Sequence, residues 1–141
     1  MSRIKIEFDA ISENEAFARV CIAAFVTRLD STLDEINDVK TAVSEAVTNA
    51  IIHGYDEKGG SICMEAVLSE NLLEVKIIDF GKGIENVELA RQPMYTTGAN
   101  KERSGMGFTF MEIFMDELIV ESEKGLGTTI YMKKRFNQCS E

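Results

Sequence analysis

Ser44-Glu45-Ala46-Val47-Thr48-Asn49-Ala50-Ile51-Ile52-His53-Gly54 reads as the middle and end of an apolar helix, yet it carries a carboxylate and a carboxamide four residues apart. Side chains at i and i+4 share one helix face, so Glu45, Asn49 and His53 form a single polar stripe. A carboxylate can take up a proton, and a carboxamide oxygen can hold a hard cation. The pair points to metal-assisted chemistry. Taken alone, Glu45 is ordinarily a solvated helix residue, so its meaning depends on what the rest of the chain brings to it.

Outward from this stretch, a helix is predicted from about Leu33 to His53, with Gly54 as its natural C-terminal cap. Before it, residues 3–9 alternate as a strand, and Ser12 or Glu13 opens a helix through about Leu29, where Ser12 and Glu15 have capping-box spacing. After it, residues 61–68 and 73–80 read as a hairpin around Ser69-Glu70-Asn71. Residues 81–104 are mostly irregular and hold the only proline, Pro93. Gly105 to about Met115 reads as a further helix. Leu118–Ser122 and Thr128–Lys134 form a last hairpin around Gly125-Leu126-Gly127. Blocks in this order predict an α+β fold, a two-layer sandwich with a mostly antiparallel sheet and helices on one face.

The first helix has more apolar circumference than a helix lying on a sheet needs. Its surplus face, Ala18, Ile22, Val26 and Leu29, either packs on the second helix or forms a dimer contact. Arg19 falls at the edge of that surface.

At 141 residues and 45% hydrophobic content the chain is most simply one globular domain. No run approaches the ~18 apolar residues of a membrane span, and the N-terminus lacks the apolar stretch of a signal peptide. Cys21, Cys63 and Cys139 are an odd, widely spaced set without a metal-ligand pattern. Cys21 and Cys63 read as reduced core residues of a cytoplasmic protein. The net charge is −9, from 24 acidic and 15 basic residues, which argues against direct nucleic-acid binding and admits a basic protein partner.

Two glycine clusters bear on Glu45 and Asn49. Asp79-Phe80-Gly81-Lys82-Gly83 follows the apolar strand, so its carboxylate sits at a strand end where glycines let a ligand approach. Such a carboxylate can accept a hydrogen bond from an exocyclic amine. Alone the pattern is weak, since any strand-to-loop turn can use it. Arg103-Ser104-Gly105-Met106-Gly107-Phe108 leads from a loop into a helix, where unpaired N–H groups suit an anion and Arg103 and Lys101 could add charge. In isolation this is a flexible loop capped by Ser104. It is neither a P-loop nor a dinucleotide fingerprint.

In chain order these pieces resemble the Bergerat-type ATP-binding fold shared by histidine kinases, gyrase, Hsp90 and mismatch-repair proteins. Glu45 to Asn49 is similar to its N-box, Asp79 to Gly83 to its first glycine box, and Gly105 to Gly107 to its second. The resemblance implies that Asn49 coordinates Mg²⁺, that Asp79 binds the adenine of ATP or ADP, and that residues 91–107 form an ATP lid. Gly81, Gly83, Thr97, Arg103, Ser104, Gly105, Met106, Gly107 and Phe108 would complete the nucleotide site, with Thr129 of Gly127-Thr128-Thr129 supporting Asp79. Ser12 to Arg19, Ser44 to Tyr55, Ala90-Arg91-Gln92-Pro93, Arg103 to Phe108, Met115-Asp116-Glu117 and Val120-Glu121-Ser122 further resemble the sporulation anti-sigma F factors of spore-forming bacteria. Those are serine protein kinases, with the stress-response and antibiotic-regulation switch kinases as near neighbours. The likeness leaves only the tail after about Lys134 outside it. Thr97-Gly98-Ala99-Asn100 departs from it, standing where sporulation relatives usually carry a Lys-Pro pair.

The resemblance implies a homodimer that inhibits a sporulation sigma factor of RNA polymerase and phosphorylates an anti-anti-sigma protein on serine. Glu45 would be the general base, one helical turn before the Mg²⁺ ligand. Arg19, in Glu15-Ala16-Phe17-Ala18-Arg19, would touch both partners. The competing reading is a stand-alone ATPase or the catalytic domain of a sensor kinase. His53 closes a helix before Gly54 and is a structural residue or a pocket neighbour, not a phospho-acceptor.

Overall fold

The computed structural model describes residues 1–92 and 107–136. Strands β1 (Ser2–Asp9), β2 (Ser61–Ser69), β3 (Leu72–Asp79), β4 (Glu117–Glu123) and β5 (Gly127–Arg135) form one five-stranded sheet in the order β1-β2-β3-β5-β4. Every neighbouring pair is antiparallel. Helices α1 (Ser12–Val26) and α2 (Leu33–Asn49) cover one face of it. A single-turn helix α3 (Val87–Ala90) follows β3, and α4 (Gly107–Phe114) packs against α2. This is the two-layer α+β sandwich predicted from the order of elements. Among the described residues no helix is long and apolar enough to cross a membrane.

Strand periodicity sorts the two faces. On β3, Leu73, Val75, Ile77 and Asp79 point into the core, and on β5 the same parity belongs to Thr128, Ile130, Met132 and Lys134. A one-residue slip would turn the whole set outward, so the apolar residues fix where Asp79 points. The outer face carries charge in register, with Lys5 opposite Glu65 and Lys76 opposite both Glu65 and Tyr131. The ammonium groups of Lys5 and Lys76 lie 3.9 and 3.7 Å from the Glu65 carboxylate. Exposed pairs of this kind contribute at most about 1 kcal/mol each and keep that face wet.

Helix α2 begins at a capping box. The Glu35 N–H donates to Thr32 Oγ1 at 3.0 Å and the Thr32 N–H donates to Glu35 Oε1 at 2.9 Å, an arrangement worth about 1 kcal/mol. The capping box expected at Ser12 and Glu15 does not form. Ile11 takes the extended cap position, with φ −127° and ψ 155°, so Ser12 is already inside the helix. Glu15 instead accepts a hydrogen bond from Ser44 Oγ at 2.6 Å and lies 3.7 Å from Arg19 Nε.

The surplus apolar face of α1 packs inward. Ala18, Ile22 and Val26 are buried and Leu29 lies against the core. What α1 leaves outside is a different stripe, Phe17 at 55% exposure and Val20 at 62%, with Ala24 one turn on.

One end differs from expectation. Helix α2 does not run as an α-helix to His53, because Ala50–Gly54 widens into a π-helical segment in which the Tyr55 N–H donates to the Ala50 carbonyl at 3.0 Å. At the other end of the chain, Phe136 belongs to the core at 1% exposure. Its backbone N–H donates to the Asn71 carbonyl at 2.8 Å, and Asn71 Nδ2 donates to the Phe136 carbonyl at 2.8 Å. Buried Lys134 donates to the Phe114 carbonyl at 3.0 Å, putting positive charge at the C-terminus of α4.

Candidate active site

The end of α2, the ends of β3 and β5, the loop through α3 and the start of α4 enclose a cavity of about 550 Å³. That lies within the ~300–1,000 Å³ of small-molecule sites. Asn49, His53, Asp79, Gly83, Gly107, Phe108 and Thr128 all line it.

Asp79 is the buried polar group of one end. As the last residue of β3 it keeps the inward parity of Val75 and Ile77 and is 6% exposed. The Gly81 N–H donates to its Oδ1 at 2.9 Å. Burial pushes its carboxyl above the usual carboxylate range, and the backbone N–H groups of Gly81 and Thr128 hold the shift partly in check.

The π-helical segment brings Gly54 onto this carboxylate. A β-carbon on Gly54 would lie 2.9 Å from Asp79 Oδ1, and one on Gly81 would lie 2.0 Å from the Gly54 carbonyl oxygen. The Lys82 N–H donates to that same carbonyl at 2.9 Å. Tyr55 ties the junction, its hydroxyl donating to the Ser61 carbonyl at 2.6 Å and accepting from the Phe80 N–H at 2.7 Å. Gly83 takes φ +77° and presses on β4, where a β-carbon would lie 2.2 Å from the Glu123 carbonyl oxygen.

Gly107 closes the opposite end. A β-carbon there would lie 3.2 Å from both amide atoms of Asn49 and 3.4 Å from Glu45 Oε1. The first described turn of α4 therefore rests on the two side chains of the polar stripe. Glu45 and Asn49 are both half-buried.

The structure thus gathers Asn49, Asp79, Gly83, Gly107 and Phe108 on the wall of one cavity, with Glu45 against Gly107 and Gly81 against Gly54 just behind it. Thr129 is not among them. It pairs with Ile78 and faces the outer side of the sheet, whereas Thr128 pairs with Asp79 and lines the cavity. The alternation Thr128-Ile130-Met132 carried that signal. Arg19 stands on α1, away from the cavity lining. Thr97, Arg103, Ser104, Gly105 and Met106 lie outside the described residues. Arg91 donates through two nitrogens to Glu112 Oε2 of α4, at 3.1 and 2.7 Å.

The family model of the histidine kinase-like ATPase domain matches residues 8–134. An anti-sigma F factor from Clostridium beijerinckii is 59% identical over 140 residues, covering 99% of this chain and 98% of the relative. Those from Clostridium acetobutylicum and Geobacillus thermodenitrificans are 58% and 53% identical, covering 96% and 94% of this chain and 94% and 92% of theirs. Among solved structures, the RsbU and RsbW domains of a Mycobacterium tuberculosis protein match with a TM-score of 0.72 at 21% identity, covering all (100%) of this chain and 34% of that one. The mycobacterial sensor histidine kinase MprB matches with a TM-score of 0.61 at 14% identity, covering 96% of this chain and 100% of that one. These two likenesses speak for the fold. Fold and cavity together are those of a histidine kinase-like ATPase domain. Within that class, the chain belongs to the anti-sigma F factor family.

The raised Asp79 pKa has a stability consequence. The folded protein holds this proton more tightly than the unfolded chain, so the contribution is full in acid and lost as pH rises through the raised value. Urea unfolding of wild type and Asp79→Asn between pH 4.5 and 8 should show wild type losing ground to the variant as pH rises, then levelling off. A constant difference across that range would contradict the assignment.

Proposed function

We propose that this chain binds ATP with Mg²⁺ in the cavity, phosphorylates a serine of an anti-anti-sigma protein, and binds and inhibits a sporulation sigma factor. The supporting observation is the seating of Gly107 on Asn49 and Glu45 at one end of a cavity whose other end is buried Asp79. The names of the relatives supply the partner class: each is an anti-sigma F factor.

In this reading Asp79, when ionised, accepts the exocyclic amine of adenine, with Thr128 beside it. Residues 93–106 carry the remaining lid and phosphate contacts in the family resemblance. Mg²⁺ is commonly held by one or two protein oxygens together with substrate phosphates. The Asn49 carboxamide at the cavity wall fits that role. Among the described residues no group of three or more His, Cys, Asp or Glu is arranged to hold a metal. Bound there, Mg²⁺ would neutralise charge on the phosphates. Glu45, beside Asn49, takes the proton of the substrate serine as its Oγ bonds to the γ-phosphorus and the bond to the ADP oxygen breaks.

Glu45→Ala should lower phosphate transfer to the partner serine about 10²–10⁴-fold, the usual contribution of a general base, while ATP binding changes little. Labelled ATP incubated with the candidate partners reads this directly. Normal transfer by the variant sinks the assignment, label on His53 means sensor-type chemistry, and phosphate release alone means an ATPase.

Partner binding would centre on α1. Arg19 is held toward α2 by Glu15, which Ser44 also bonds, and the same helix carries exposed Phe17 and Val20. Arg19→Glu should weaken both partner complexes, measured by pull-down with ATP or ADP present, and unchanged capture of both partners would rule this out. The same exposed apolar stripe supports self-association into a homodimer. Val20→Asp should then shift sedimentation toward the monomer, and a wild type that sediments as a monomer would refute it.

A further inference from the structure

Ser122 lies on the core side of β4, directly opposite Thr128 of β5. Its hydroxyl oxygen has three partners. The Ile84 N–H donates to it at 2.6 Å, the Gly127 carbonyl lies 3.0 Å away, and Thr128 Oγ1 lies 2.8 Å away.

Proton counting orders these contacts. A hydroxyl has one hydrogen to give and two lone pairs to receive, and a carbonyl can only receive. All three contacts are hydrogen bonds in a single arrangement: Ser122 donates to Gly127 and accepts from both Ile84 and Thr128. If Ser122 donated to Thr128 instead, the bond to Gly127 would be lost, an unfavourable exchange in a half-buried place. The Thr128 proton is therefore committed to Ser122. What Thr128 has left for the cavity is acceptor lone pairs, next to the carboxylate of its register partner Asp79.

The Ile84 contact belongs to a second assembly. The Gly125 N–H donates to the Lys82 carbonyl at 2.6 Å, and Gly83 presses on the Glu123 carbonyl. The loop after Asp79 is thus zipped along the β4–β5 hairpin by backbone contacts, by the Ser122 hydroxyl and, at the exposed rim, by the Lys124–Glu85 ion pair at 3.1 Å.

We propose that Ser122 is a positioning and specificity-determining residue of the nucleotide site. It holds the Gly83–Ile84 wall in place and turns Thr128 into an acceptor, so that the Thr128 and Asp79 pair receives the amine of a 6-aminopurine and repels the carbonyl oxygen of a 6-oxopurine. Ser122 acts through Thr128 and need not touch the nucleotide. The inference rests on the cavity being an adenine-nucleotide site.

The test measures dissociation constants for Mg·ATP and Mg·GTP on the full chain by calorimetry, with thermal unfolding as the folding control. Ser122→Ala should weaken ATP about three- to tenfold, the range for losing one or two buried hydrogen bonds, with GTP weakened less. The preference for ATP over GTP therefore falls. Ser122→Thr, which keeps the hydroxyl, should keep the preference. Thr128→Val should lower the preference, and adding Ser122→Ala to it should lower it no further, a non-additivity that a merely structural serine would not produce. A folded Ser122→Ala protein with an unchanged preference overturns the proposal, as does full additivity with Thr128→Val. If Ser122→Ala does not fold, retention of the preference in Ser122→Thr with its loss in Thr128→Val upholds the proposal, and an unchanged preference in Thr128→Val overturns it. A wild type that binds ATP while the variants keep its preference defeats this inference alone. A wild type that binds no ATP defeats the underlying reading as well.

Discussion

The docking of the α2 terminus on the end of β3 is the contact on which the rest of the site depends. Gly81 comes so close to the Gly54 carbonyl that a β-carbon would lie 2.0 Å from its oxygen, and Gly54 in turn approaches the Asp79 carboxylate. No side chain fits at that junction. The chain reaches it by widening α2 into the π-helical segment Ala50–Gly54, an irregularity that occurs often at functional sites. The backbone groups freed there find partners in the Lys82 and Tyr55 amides. With the helix end pinned, Asn49 lies on one side of the cavity and Asp79 on the other.

That arrangement buries an ionisable group, and the fold answers it locally. Two backbone N–H groups face Asp79, too few to cancel the desolvation that raises its pKa. A ligand that donates to the carboxylate is therefore bound by a group already held in place and short of donors, the kind of preorganisation that raises affinity. Among the described residues no buried side-chain nitrogen or oxygen lacks a partner. The strain of the site lies in burial and close backbone approach, not in orphaned hydrogen bonds.

Charge acts at longer range. A chain of net charge −9 repels a polyphosphate, so attraction must be built locally. The cavity-lining lysines Lys82 and Lys124 are engaged with Asp56 at 2.9 Å and Glu85 at 3.1 Å. Those ion pairs hold the rim around the Asp79 end. The carboxamide and carboxylate of Asn49 and Glu45 lie at the far end, against α4.

Much of this was legible in the chain itself. Period-2 alternation located all five strands, i,i+4 spacing joined Glu45 to Asn49, and the glycines marked the turns, because each of these is a local property of backbone geometry. Parity within β5 even distinguished Thr128 from Thr129, although the threonine assigned by resemblance was the outward one. What only the tertiary structure decided depends on contacts between distant segments. The capping box moved from Ser12 to Thr32 because the cap belongs to whichever residue stays extended. The surplus face of α1 turned inward because α2 was there to receive it, leaving Phe17 and Val20 outside. Glu15 was taken from helix capping by Ser44, Gly54 reached the cavity through its contact with β3, and Ser122 met Ile84 and Thr128 across the hairpin. A hydrogen bond or a steric limit between residues dozens apart has no period in the sequence, so it exists only once the sheet has closed.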